Sequence, residues 1–313
     1  MSRAVEARTG GRDPGGSRAQ GGDVTAVPVG RRLALTLVLA SVLGVLAFTW
    51  PLLVDAGGVL DDDTSAPLVL GLVLATGLGV LFVGVGDGGL DVKAVAMLGL
   101  LSAIGAVLRP VAAGTGGIET VFFVIVLGGR VFGPGFGFVL GSTTLFASAL
   151  LTGGVGPWLP FQMLGASWVG LGAGLLPHRV RGAGELILLA GYGMLASLLY
   201  GAVMNLSFWP FQLGAGTGLS FVAGDPVGEN LRRFLLFSVT TSLGWDIGRA
   251  ITTGVGVVLL GRPVLATLRR SAVRAAFAPA GAGHRSGAGH RTGAAPSSTQ
   301  GSGSDTPHNI PSG

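Results

Sequence analysis

The sequence predicts an all-α membrane protein: a six-helix bundle preceded by two additional transmembrane helices. Three observations predict it. Hydrophobic residues make up 49% of the 313-residue chain and charged residues 11%, too apolar for an ordinary water-soluble domain. The apolar residues come in long continuous blocks, as a helix needs if it is to hide its backbone polar groups from lipid. The short segments of strict alternation that mark a transmembrane barrel are missing. Finally, the basic residues fall on alternate loops, as the positive-inside rule requires.

Residues 1–32 are rich in Gly, Arg and small polar residues and read as a disordered cytoplasmic tail ending in Arg31-Arg32. Residues 33–54 form an apolar run too long for a signal-peptide core, with no A-x-A site after it, and are expected to be an uncleaved first span. An acidic loop, 55–65, separates it from a second span at 66–86. Together, 33–91 hold the two additional N-terminal helices.

The six-span core is expected over 92–262. Its first span covers 94–108 and runs on to about 112. The next segment, 117–129, is too short to cross a bilayer upright, so it is either tilted and capped by neighbours or partly re-entrant. Further spans follow at 131–151, 158–176 and 185–206. Residues 207–230 form the longest internal loop, rich in Gly and aromatics, and 231–260 contain the last span. From Arg262 the chain turns basic, and 263–313 read as a basic and then disordered cytoplasmic tail.

With the N-terminus in the cytoplasm, eight spans put the arginines of both tails, Lys93, Arg130, Arg179 and Arg181 inside. Outside lie Arg109, Arg232, Arg233, Asp55, Asp61, Asp62 and Asp63. Both termini are then cytoplasmic, in the cell (inner) membrane. The net charge of +5 reads as this topology rather than as nucleic-acid binding.

Small residues recur four apart at Gly99/Ala103, Ser102/Ala106, Gly133/Gly137/Gly141, Ala166/Gly170/Gly174, Gly193/Ser197/Gly201 and Gly244/Gly248/Thr252/Gly256. This spacing lets helix backbones approach closely, within the bundle or against a separate partner. Asp246 and Arg249 lie one turn apart in the last span and are expected to neutralise each other as a structural ion pair. Arg109 and Glu119 flank neighbouring segments, where they either pair or read a polar ligand. The run Asp61-Asp62-Asp63 reads as a solvated loop.

Several chemistries lack their residues. There is no cysteine, and all four histidines lie in loops or the tail, so no metal site or cofactor is expected. The single lysine, Lys93, follows no glycine-rich phosphate loop. No convergent nucleophile and base suggest an enzyme.

From about Val92 the pattern resembles the substrate-binding (S) component of energy-coupling-factor (ECF) transporters. The run GRVFGPGFGFVLGSTT, the turn TGGVGPW and then PFQMLGASWVGLGAGLL carry the resemblance most specifically, and SLGWDIGRAITTGVGVVLLGRP closes it. The two N-terminal spans are additional to that family's six. The resemblance implies a subunit of an ABC-type importer that binds a vitamin or similar micronutrient from outside. It further implies a membrane-embedded T component and two cytoplasmic ATPase subunits as partners. Cobalamin is the leading substrate. A self-sufficient secondary transporter or other polytopic membrane protein is the alternative, though no internal repeat supports it.

On the resemblance, Gly99, Ser102, Ala103 and Ala106 match the small-residue docking surface of the first core helix, without its literal Ala-x-x-x-Ala. Substrate is expected near the outer side. Glu119, Trp158, Gln162, Trp168, Asn205, Trp209, Gln212 and Asn230 offer flat apolar faces and a few hydrogen-bonding groups there. Trp158 and Trp209 also suit a membrane interface with no ligand.

Overall fold

The computed structural model describes residues 31–53, 92–111, 115–213 and 216–276, with six helical positions between the first two stretches: Gly71, Leu72, Leu74, Ala75, Leu78 and Gly79. Most of the expected second span, and the tails at 1–30 and 277–313, lie outside the described residues, as does the acidic loop. The described residues are helical with connecting turns. The elements are α1 (Arg31–Phe48), α2 (Val92–Leu108), α3 (Val121–Phe132), α4 (Pro134–Thr152), α5 (Leu159–Leu175), α6 (Ala183–Gln212), α7 (Val227–Phe237) and α8 (Leu243–Ala276). A short 3₁₀ turn, Trp50–Leu52, follows α1, and a π-helical turn, Ser238–Ser242, joins α7 to α8.

Local sequence sets the boundaries. Gly133, at φ 93°, turns the chain between α3 and α4, and Pro134 opens α4 at a position that needs no amide hydrogen. Gly153, left-handed at φ 67°, closes α4. Two boundaries differ from the sequence expectation. Helix α6 does not stop at 206 but continues through Pro210 to Gln212. A proline this close to a helix end removes a bond from the last turns only. The Trp50 indole also donates to the Ser207 carbonyl at 3.0 Å. Helix α8 likewise runs past Arg262 to Ala276, so the boundary drawn there falls inside a helix.

The outward faces of the long helices are apolar: Ile187, Leu195 and Leu199 on α6, and Val255, Val258 and Leu259 on α8, are exposed. Meanwhile Arg130, Glu185, Asp246 and Asn230 are buried. Such an arrangement suits lipid and not water. Three described helices are long and apolar enough to cross a membrane, Pro134–Thr152, Ala183–Phe211 and Val227–Val273, and shorter apolar helices fill the bundle between them.

The shortest core span, α3, is also the most enclosed. Eleven of its 12 residues are buried. At 1.5 Å per residue it is about 18 Å long, well under the roughly 30 Å of bilayer hydrocarbon. Its neighbours in the bundle therefore enclose it along nearly its whole length.

The small-residue stripes zip helices together. A Cβ on Gly170 would strike the backbone carbonyl of Gly137, and one on Gly137 that of Gly170. Gly141 meets Ala166 one turn along, and Gly174 meets Gly133 and Pro134 at the other end. The α4 and α5 stripes thus face each other with backbone on backbone. Lipid tails are as apolar as leucine, so contact area of this kind, not the hydrophobic effect, holds membrane helices together. On α6, Gly193 meets Thr253 of α8, and Ser197 shares a 3.0 Å hydrogen bond with it.

Helix α1 is fastened to the core at several points. Phe48 packs edge-on against Phe161, and the Trp168 indole donates to Ser41 Oγ at 3.0 Å. Trp50, buried, stacks on Phe211 with ring centroids 5.6 Å apart.

Candidate functional site

Charged side chains gather at both ends of α3. Glu119 sits just before its first turn and Arg130 in its last. Eleven residues separate them, about 16 Å of helix rise. Both therefore fall within a hydrocarbon layer about 30 Å thick if α3 is centred in it, and such charges need partners.

At the Arg130 end the partners are complete. Arg130 Nε donates to Glu185 Oε1 at 2.7 Å, and its remaining nitrogens donate to the carbonyls of Leu176, Pro177 and Val180 at 2.9–3.2 Å. Arg269 of α8 donates to the same Glu185 oxygen at 2.6 Å. Both side chains of the Arg130–Glu185 pair are 2% exposed. This cluster ties α3, α6, α8 and the α5–α6 turn into one unit.

The Glu119 end differs. Arg249 of α8 donates Nη1–H to Asp246 Oδ1 at 2.7 Å, the pair expected from their spacing. It also donates Nε–H to Glu119 across from α3, and lies over the Tyr200 ring, 5.4 Å from its centroid. Asn205 of α6 donates to the other Asp246 oxygen at 3.3 Å. Arg109, just past the end of α2, stands 3.7 Å from Glu119 and donates to Gln162 of α5 at 3.1 Å. One connected network thus draws on α2, α3, α5, α6 and α8.

Glycines let the backbone close around it. Gly117, at φ 77°, adopts a conformation that favours glycine, and a Cβ there would collide with the Trp245 carbonyl. Gly248 meets the Gly116 carbonyl from the other side. On α6, Gly201 leaves the space that the Asp246 carboxylate occupies. The last glycine of the α6 stripe thereby seats a charge of the network.

Above the network lies a cavity of about 350 Å³, walled by the α2–α3 connection, the end of α4 and the start of α8. Arg109, Glu119, Arg249, Ser148, Thr152 and Trp245 line it. The Ser148 hydroxyl is buried and has no hydrogen-bond partner.

Of the expected substrate residues, Glu119, Gln162 and Asn205 belong to this network, and Glu119 also lines the cavity. Trp158 is 43% exposed at the α4–α5 turn, with its indole on the Gly154 carbonyl at 3.3 Å. Trp168 faces α1. Trp209 is fully buried and donates to the Leu219 carbonyl at 2.7 Å. Asn230 clamps Val222, accepting from its amide at 3.2 Å and donating to its carbonyl at 2.8 Å. Those last two hold the α6–α7 connection in shape. The side chain of Gln212 lies outside the described residues. In the sequence Arg109 and Glu119 either pair or read a polar ligand; the structure sets them 3.7 Å apart, and the contact of Arg109 with Gln162 was not legible. Ser148, Thr152, Trp245 and Tyr200 were missed, since nothing in their local spacing marks them.

The four candidate docking positions on α2 divide between two faces. Ser102 and Ala106 are buried, and Ser102 shares a 2.7 Å hydrogen bond with Thr143 of α4. Gly99 and Ala103 face outward, and a Cβ on Gly99 would meet nothing within 4 Å.

A family model described as the substrate-specific component of the ECF transporter matches residues 93–264, more than half of the chain. No curated protein and no solved structure matches the chain.

Proposed function

The chain belongs to the family of ECF transporter substrate-specific components, and on that premise we propose that it captures a vitamin or related micronutrient in the cavity at the Glu119 end. The observation that carries this reading is the cavity itself. It sits on a sunken helix, over a network that five helices hold in place, with an unspent hydroxyl in its wall. Concave sites of a few hundred Å³ with few convergent polar groups are the usual make-up of small-molecule pockets.

The Glu119 end faces outside in this reading. Lys93, Arg179, Arg181, Arg262, Arg269 and Arg270 gather toward the other end, the side the positive-inside rule assigns to the cytoplasm. Both termini are then cytoplasmic. A membrane-embedded T component and two ATPase subunits supply the drive, since a cavity and a packed bundle contain no engine. The T component docks on the exposed Gly99/Ala103 face of α2; Ser102 is already hydrogen-bonded to α4 and Ala106 is buried. The additional helix α1 packs on α5 and α6 and so leaves that face of α2 open.

At about 350 Å³ the cavity lies within the roughly 300–1,000 Å³ range of small-molecule sites. Purification of the full chain in detergent, with mass spectrometry of what comes with it, tests the reading. A vitamin-sized molecule at close to one per chain is the expected result. An empty protein that also binds no member of a vitamin panel at micromolar concentration would end it.

A further inference from the structure

We infer that the nutrient taken by this cavity is an organic carboxylate, whose acid group is received by Arg109 and whose other polar edge meets Ser148. The inference rests on the substrate-capture reading above and names the class of substrate.

Donors outnumber acceptors in the wall. Two arginines and one glutamate line the cavity. Arg249 has two of its donor nitrogens engaged, by Glu119 and Asp246. A guanidinium carries five N–H donors, yet Arg109 makes one hydrogen bond, to the neutral amide oxygen of Gln162. Its distance to Glu119, 3.7 Å, is too long for a hydrogen bond. Glu119 is meanwhile held by Arg249. Arg109 is thus a partly exposed fork, 22% accessible at the side chain, ion-paired with Glu119 but with most of its N–H donors unspent. A planar carboxylate is the partner such a fork matches in two parallel hydrogen bonds.

The acidic groups offer less to a cation. Asp246 is taken by Arg249 and Asn205, and Glu119 by Arg249 with Arg109 beside it. A cationic ligand entering here would share the wall with two arginines, and both carboxylates of the network already hold partners.

Ser148 is the independent second observation. It lines the same cavity, it is fully buried, and its hydroxyl is unpartnered. Leaving such a group unpaired costs about 1–3 kcal/mol, so a ligand atom that bonds it gains by doing so. Trp245 gives the wall a flat apolar face. The fitting molecule is compact, with an apolar body, a carboxylate at one end and a hydrogen-bonding edge.

Calorimetric titration of the full chain in detergent with matched pairs tests this: nicotinate against nicotinamide, biotin against biotinamide, and pantothenate against panthenol, with thiamine and riboflavin as carboxylate-free probes. The expected result is that an acid binds about tenfold or more tightly than its neutral twin, the scale of one charged hydrogen bond. Arg109→Gln should erase the preference, Arg109→Lys should restore part of it, and Arg232→Gln on the exposed surface should leave it alone. Equal binding of a neutral twin, or binding of thiamine or riboflavin alone, overturns the carboxylate class while nutrient capture stands. No binding by any probe counts against both. The comparison within pairs needs only the unmodified chain, so a variant that fails to fold does not spoil it.

Discussion

Replacing Arg249 with Gln should destabilise the bundle more than any other single change at the Glu119 end. Arg249 answers two carboxylates at once, Glu119 from α3 and Asp246 from its own helix. The three side chains are 16%, 18% and 11% exposed, so water screens them little. Breaking one buried pair by removing a partner costs about 3–5 kcal/mol, because a charge is left without its match. Here two charges are left, though Arg109 remains near Glu119 and Asn205 still donates to Asp246. Those residual partners hold the expected loss to about 3 kcal/mol, a shift of roughly 150-fold in the unfolding equilibrium. Reversible unfolding in mixed micelles, followed by tryptophan fluorescence, reads the difference. The triple variant Glu119→Gln, Asp246→Asn, Arg249→Gln removes the charges together and should recover most of the loss. A single variant that costs less than about 1 kcal/mol, or a triple no more stable than the single, would refute the claim that these charges are buried and mutually dependent.

Four further outcomes follow from the packing. Gly170→Leu should abolish folding, measured as loss of monodisperse protein in detergent, because the new side chain meets the Gly137 backbone, whereas Gly99→Leu should leave stability unchanged. Gly99→Trp and Ala103→Trp should prevent assembly with the T component while sparing ligand binding; co-purification of the complex and titration of the isolated chain separate the two effects. Arg130→Met should cost about 3–5 kcal/mol and Arg130→Met with Glu185→Met distinctly less, since the double change leaves no lone charge at the buried end. Trp50→Ala should cost about 3–5 kcal/mol in unfolding free energy by removing a buried indole that joins the additional N-terminal helix to α6.

The all-α class and the apolar helices were legible because lipid demands continuous apolar blocks. The stripe at Gly133/Gly137/Gly141 and that at Ala166/Gly170/Gly174 were readable singly. That they face each other, rung on rung, was not, since neither stripe names its partner. The Asp246–Arg249 pair followed from one helical turn. Its third member, Glu119, lies 130 residues away and is joined only by the fold. The Gly- and aromatic-rich stretch 207–230 read as loop from its first residue, but α6 runs on through Pro210 to Gln212, since a proline near a helix end leaves few bonds to break. Aromatic and amide residues in the 207–230 stretch looked available to a ligand. Trp209 and Asn230 instead use their polar atoms on nearby backbone, a choice that residue type alone does not reveal. Ser148 was silent in the sequence because a serine in an apolar helix usually bonds its own backbone, and this one does not.

The most direct test of the central claim is to count the small molecules bound per chain in the natural protein and in Thr152→Trp, which places an indole at an exposed position on the wall of the cavity. The account predicts about one nutrient per chain in the first and none in the second, with both proteins equally folded by circular dichroism and equally monodisperse in detergent. A blocked variant that still carries its nutrient at full occupancy would show that substrate is held somewhere other than the cavity above Glu119.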